Sequence, residues 1–92
     1  MAKPILSKFE LLDLIARKEI LWLYMLTERG YSYWGATSKL RRLHKEGLAI
    51  PSIVKDGPRG AWILTEKGYD RLWYLHRRGI YGESAYCKAR EH

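Results

Sequence analysis

The stretch Tyr33-Trp34-Gly35-Ala36-Thr37-Ser38-Lys39-Leu40-Arg41-Arg42-Leu43-His44-Lys45-Glu46-Gly47 decides the fold. Spaced as a helix, it puts Ala36, Leu40 and Leu43 at i, i+4 and i+7 on one stripe and turns Thr37, Ser38, Lys39, Arg41, Arg42 and Lys45 elsewhere. The stripe packs inward and the cations face solvent. Gly47 stands where a helix end needs a residue tolerant of positive φ, and Leu48, Ala49 and Ile50 then open a short extended run. Most charged helix faces are merely solvated, so the neighbouring segments must say what this one does.

Upstream, Ser32 is spaced to accept from the first free amides of that helix, with Tyr31 linking back to Gly30, a C-terminal cap for the segment before it. That segment contains Ile20 to Leu26, apolar all round, so a helix here needs cover on more than one side, either as the central core helix or shared with a second copy of the chain. Further back, Ser7 and Glu10 form a capping box, with Leu6 spaced to staple onto Leu11. The helix they open carries Phe9, Leu12, Ile15 and Ala16 inward. One long helix, or two joined near Arg17, both remain open, because neither Gly nor Pro occurs between Ile5 and Arg29.

Downstream, Leu48 to Lys55 and Ala61 to Thr65 predict two strands around Asp56-Gly57-Pro58-Arg59-Gly60, a β-hairpin with a basic tip. Pro51 lacks a ladder donor and marks an edge strand. Trp62 and Leu64 share one face and Ile63 takes the other, with Trp62 expected as a core or hinge anchor. Thr65 then caps a last helix, with Glu66 in its first turn, Leu64 stapling onto Tyr69, and an inward stripe of Tyr69, Leu72, Trp73 and His76. His76 is expected as a hydrogen-bonded edge of the core. Arg77 and Arg78 suit the last turn and Gly79 ends it. Residues 80–92 have weak periodicity despite Tyr81 and Tyr86, and are expected to be a loose tail or to order against a partner. Residues 1–92 thus form one domain with its core in 5–79.

Ninety-two residues support a modest core but not a deep, well-walled cleft. Seventeen Lys and Arg against ten Asp and Glu give a net charge of +7 and a pI near 9.7, a field that attracts polyanions. Cys87 is the only cysteine, and His44, His76 and His92 show no metal-ligand spacing, so no metal is expected. No phosphate-binding glycine loop or nucleophile motif occurs, which argues against an enzyme, a cofactor or a small-molecule ligand. The longest apolar run, seven residues, is far short of the roughly 20 that span a bilayer. Without a signal-peptide layout, the expectation is a cytoplasmic protein that does not bind membranes.

The order of helix, helix, basic helix, hairpin, helix resembles a winged helix-turn-helix domain, an α+β, mostly helical fold. The resemblance rests on the Leu40, Leu43, Gly47, Leu48 spacing in SKLRRLHKEGLA and on WILTEKGYDRL, from Trp62 to Leu72, after a Gly/Pro-rich hairpin. Both are similar to the recognition helix and the strand-to-helix junction after the wing in small prokaryotic regulators of the MarR, PadR and ArsR kind. The resemblance implies a transcriptional regulator that binds double-stranded DNA, acting as a homodimer, with the basic helix in the major groove and the hairpin wing along the backbone or in the minor groove. It assigns DNA contact to Thr37, Ser38, Lys39, Arg41, Arg42 and Lys45 on the helix and to Lys55 and Arg59 on the wing. Arg41 with Ser38 would read base edges and the remaining cations phosphates. Tyr33 stands between packing and nucleic-acid contact, and Trp34 is expected to pack. Such domains usually carry a separate short helix before the recognition helix. Residues 18 to 29 would serve, with 7 to 16 as the first helix, or the motif is abbreviated. The alternatives are a winged-helix protein-interaction module, given four Trp and seven Tyr, or RNA and single-strand binding through Tyr31, Tyr33 or Trp34.

Overall fold

The computed structural model describes residues 6–52 and 60–91. Helix α1, Lys8–Lys18, starts at the expected capping box: Ser7 Oγ accepts from the Glu10 amide and the Glu10 carboxylate accepts from the Ser7 amide. Leu11 to Ala16 are buried without interruption, because strand β3 (Ala61–Leu64) and helices α4 (Glu66–Arg78) and α5 (Ala85–Arg90) close around this helix. The central core helix is therefore α1, not the apolar run after it.

Two helices, not one, occupy the segment after Ser7, and the break falls at Glu19. This residue has φ 65° and ψ −48°, and the Ile20 amide donates to the Lys18 carbonyl at 2.7 Å across it. The geometry is that of a positive-φ γ-turn, the rarer and strained kind, which costs on the order of 1–3 kcal/mol outside glycine. The turn aims Leu21–Trp22 into a two-residue strand, β1, which pairs antiparallel with β3. Only then does the short helix α2, Leu23–Glu28, begin, its first amide donating to the Gly60 carbonyl at 2.9 Å. The run Ile20 to Leu26 expected as a helix thus starts as strand, at Leu21 and Trp22, and is helical only from Leu23. Sheet pairing satisfies backbone groups that no local residue would cap, and it also covers Leu21 completely.

Helix α3, Tyr33–Lys45, follows its Ser32 cap, with Ser32 Oγ accepting from the Gly35 amide at 3.0 Å. Gly47 has φ 78° and turns the chain into β2, Ala49–Ser52. β3, Ala61–Leu64, returns antiparallel to it, with Pro51 opposite Trp62. The sheet order is β1-β3-β2, so Pro51 does lie on an edge strand. Trp62 is half-buried against the core and meets His44 edge-on. Helix α4, Glu66–Arg78, starts at Thr65 as expected, and its Leu72 and His76 are buried with Tyr69 and Trp73 packed beside them. Gly68 in its first turn lies so close to the preceding strand entry that a Cβ there would sit 2.1 Å from the Leu48 carbonyl oxygen. α4 rests directly on backbone.

The C-terminal residues are ordered against the chain itself. Ser84 caps a short helix α5, Ala85–Arg90, which docks on α1 through one carboxylate. Asp13 Oδ1 accepts from Ser84 Oγ at 2.6 Å and from the Tyr86 amide at 3.0 Å, while Oδ2 takes Arg17 Nε at 2.9 Å. The Ser84 amide donates to His76 Nδ1, so Nε2 carries the neutral ring's hydrogen and donates to Glu91. His76 is the hydrogen-bonded core edge expected for it. Cys87, on the inward face of α5, is fully buried, and burial pushes its thiol pKa up. The described residues form an α+β fold of five helices and a three-stranded antiparallel sheet, and none of those helices is long and apolar enough to cross a membrane.

Candidate nucleic-acid interface

Helix α3 divides cleanly between core and solvent. Ala36, Leu40 and Leu43 are at most 2% exposed, and a turn of 3.6 residues sends Trp34, Ser38, Arg41 and Lys45 to the opposite side. Ser38, Arg41, Arg42 and Lys45 are all exposed there, as the spacing predicted. Three cations within five residues face water on a helix whose other side is anchored.

The flanks of α3 are tied down from both directions. On one flank, His44 Nδ1 donates to the Ala49 carbonyl at 3.1 Å, joining the helix end to β2. Thr65 Oγ1 donates to the Gly47 carbonyl while the Thr65 amide donates to Leu48, so the same corner is fixed to the start of α4. On the other flank, Lys39 Nζ donates to the Leu6 carbonyl and Lys8 pairs with Glu46. The Lys8 ammonium, with Arg71 and Arg42 nearby, holds the Glu46 carboxyl below its usual range. At the helix start, Tyr31 Oη accepts from the Leu6 amide at 2.6 Å. These bonds join both flanks of α3 to neighbouring elements.

Two of the expected contacts are drawn away from that stripe. Lys39 is half-buried and spends its ammonium on Leu6, which makes it a strut between α3 and the start of α1. Thr37 is also half-buried, and its hydroxyl donates back to the Tyr33 carbonyl at 2.8 Å, the usual fate of threonine inside a helix. Lys55 and Arg59 lie outside the described residues. Tyr33 is 57% exposed at the helix start.

Trp34 corrects the expectation that it packs. It is 74% exposed, the most exposed of the large apolar residues described, and meets Tyr33 edge-on with ring centroids 5.3 Å apart. The signal was in the spacing: Trp34, Ser38, Arg41 and Lys45 fall at i, i+4, i+7 and i+11, the stripe opposite Ala36 and Leu40. A second residue, Lys67, had no signal in the sequence. It comes from the first turn of α4, and a Cβ built on Gly47 would lie 3.7 Å from its Nζ, so its ammonium stands beside the C-terminal end of α3. Helix carbonyls favour a cation there.

The surface that results is basic. The aromatic pair stands at the start of α3, and the cations of α3 and α4 gather toward its C-terminal end. Among the described residues no group of three or more His, Cys, Asp or Glu side chains gathers to hold a metal. Such a surface can neutralise phosphates with Arg42, Lys45 and Lys67 and offer Arg41, Ser38 and Trp34 to the edges of bases. No protein-family model, curated protein or solved structure significantly matches the chain.

Proposed function

We propose that this chain binds double-stranded DNA as a winged helix-turn-helix protein and serves in the cytoplasm as a homodimeric transcriptional regulator. The observation that carries the proposal is α3: one side wholly buried, the other offering Ser38, Arg41, Arg42 and Lys45 to solvent on a helix pinned at both flanks. α2 supplies the separate short helix that such domains carry before the recognition helix, and β2 and β3 run directly on from α3 as the base of a wing. Arg41 is suited to bidentate contact with a guanine edge, and Arg42, Lys45 and Lys67 to phosphates. A single small module buries little surface, so two copies on half-sites about one helical turn apart would supply the specificity.

The test is a titration of duplex DNA at two salt concentrations, with molar mass measured in solution. With three phosphate-binding cations per chain, a dimer makes roughly six such contacts, and affinity should fall about a thousandfold between about 50 and 200 mM salt. A monomer indifferent to duplex DNA at low salt refutes the proposal. The exposed Tyr33 and Trp34 favour a second reading, a protein-interaction module. Binding to a protein partner through these aromatics would persist across the same salt range.

A further inference from the structure

We infer that Trp34 is a base-reading residue that selects thymine in the major groove, an inference that rests on the DNA-binding function proposed above. Trp34 is the second residue of α3, in the turn whose side chains meet base edges when such a helix enters the groove. It is 74% exposed and shares the outward stripe with Ser38 and Arg41. An isolated surface tryptophan needs no explanation, but one on the face of α3 opposite the buried Ala36, Leu40 and Leu43 has a defined neighbourhood. Its ring and that of Tyr33 meet at a steep angle, and most of the tryptophan stays open to solvent.

The chemistry of the side chain then chooses the base. Indole presents a broad apolar ring and a single N–H donor, with no acceptor. Cytosine offers the groove a donor, guanine only acceptors, and adenine an acceptor beside a donor. Thymine alone offers a methyl group next to an acceptor, O4, and so matches both properties of the ring. Arg41, two turns further along the same stripe, prefers guanine by the same reasoning. Specificity would therefore be divided along α3, apolar at its start and cationic toward its end.

The test uses the full chain. Duplexes that the wild type prefers are enriched from a randomised pool, and each thymine of the enriched site is replaced in turn by deoxyuridine, which removes only the C5 methyl. Affinities are measured for the wild type, Trp34→Phe and Trp34→Ala. Because the side chain is exposed, both variants should retain the fold, which circular dichroism and the thermal midpoint check. The wild type should lose about fourfold on removal of one particular methyl in each half-site, the worth of one buried methyl. Trp34→Phe should keep that loss and Trp34→Ala should abolish it. Equal methyl sensitivity in wild type and Trp34→Ala, or none at any position, overturns the inference while leaving duplex binding intact. A Trp34-dependent preference for single strands over duplex overturns it too, in favour of base stacking. Failure of the wild type to bind any duplex removes the DNA-binding function itself.

Discussion

Replacing Asp13 by alanine should release α5 from the body of the protein while leaving the rest folded. Asp13 is 9% exposed, and its carboxylate accepts two hydrogen bonds from the start of α5, from Ser84 Oγ at 2.6 Å and from the Tyr86 amide at 3.0 Å. Hydrogen bonds to a charged partner contribute roughly 1.5–3 kcal/mol each. The third bond, to the half-exposed Arg17, adds only tenths of a kcal/mol, roughly. Because the two α5 bonds share one oxygen, the lower end applies to each, and their joint loss costs about 3 kcal/mol. That is roughly a hundredfold increase in the population with α5 undocked. Cys87, the only cysteine, reports this directly: it is fully buried on the inward face of α5 and reacts with a thiol reagent only when the helix opens. Its labelling rate at fixed pH should rise roughly a hundredfold in Asp13→Ala. Asp13→Asn keeps an acceptor without the charge, and its rate should rise about tenfold. The reasoning is wrong if labelling is equally slow in Asp13→Ala and wild type, or if wild-type Cys87 reacts as fast as in denaturant.

Cys87 also sets a pH dependence. Burial raises its thiol pKa, with Asp13 and Glu91 adding to the shift, so the folded state holds the proton more tightly than the unfolded chain does. The stabilisation is complete below the ordinary thiol pKa of about 8.5 and is lost as pH rises above it. Urea midpoints should therefore fall more steeply above that pH in the wild type than in Cys87→Ala, and parallel curves would exclude the thiol as the cause. Gly68→Ala drives a methyl into the Leu48 carbonyl, a contact of 2.1 Å that only backbone movement can relieve. It should cost about 3 kcal/mol and lower Tm by roughly 10–20 °C, whatever alanine gains in helix propensity. An unchanged Tm would mean that α4 does not rest on Leu48. On DNA, Arg41→Ala should relax sequence preference, whereas Arg42→Ala, Lys45→Ala and Lys67→Ala should weaken all duplexes alike and each reduce the salt slope by about one per chain. Equal losses on selected and random duplex for Arg41→Ala would point to non-specific binding.

Local chemistry made much of the fold legible. Caps at Ser7, Ser32 and Thr65, the positive φ at Gly47 and the edge position of Pro51 each follow from what one or two residues can do with neighbouring backbone groups. Helical spacing identified Ala36, Leu40 and Leu43 as core and Ser38, Arg41, Arg42 and Lys45 as surface. The error over Trp34 came from giving hydrophobicity precedence over the stripe on which the residue falls.

What the sequence determined by itself is therefore the set of elements with strong local signals, and the amphipathic division of α3. The tertiary structure alone decided three things. It broke the N-terminal helical run at Glu19, because pairing β1 with β3 repays a strained turn that no nearby residue favours. It ordered α5, whose few residues have no helix signal of their own, by giving Ser84 and the Tyr86 amide a buried carboxylate seventy-one and seventy-three residues away. And it sorted the cations of the basic stretch, turning Lys39 to Leu6 while bringing Lys67 beside the end of α3. A long, flexible side chain carries its charge to whichever neighbour the fold provides, and sequence spacing records only where that side chain starts.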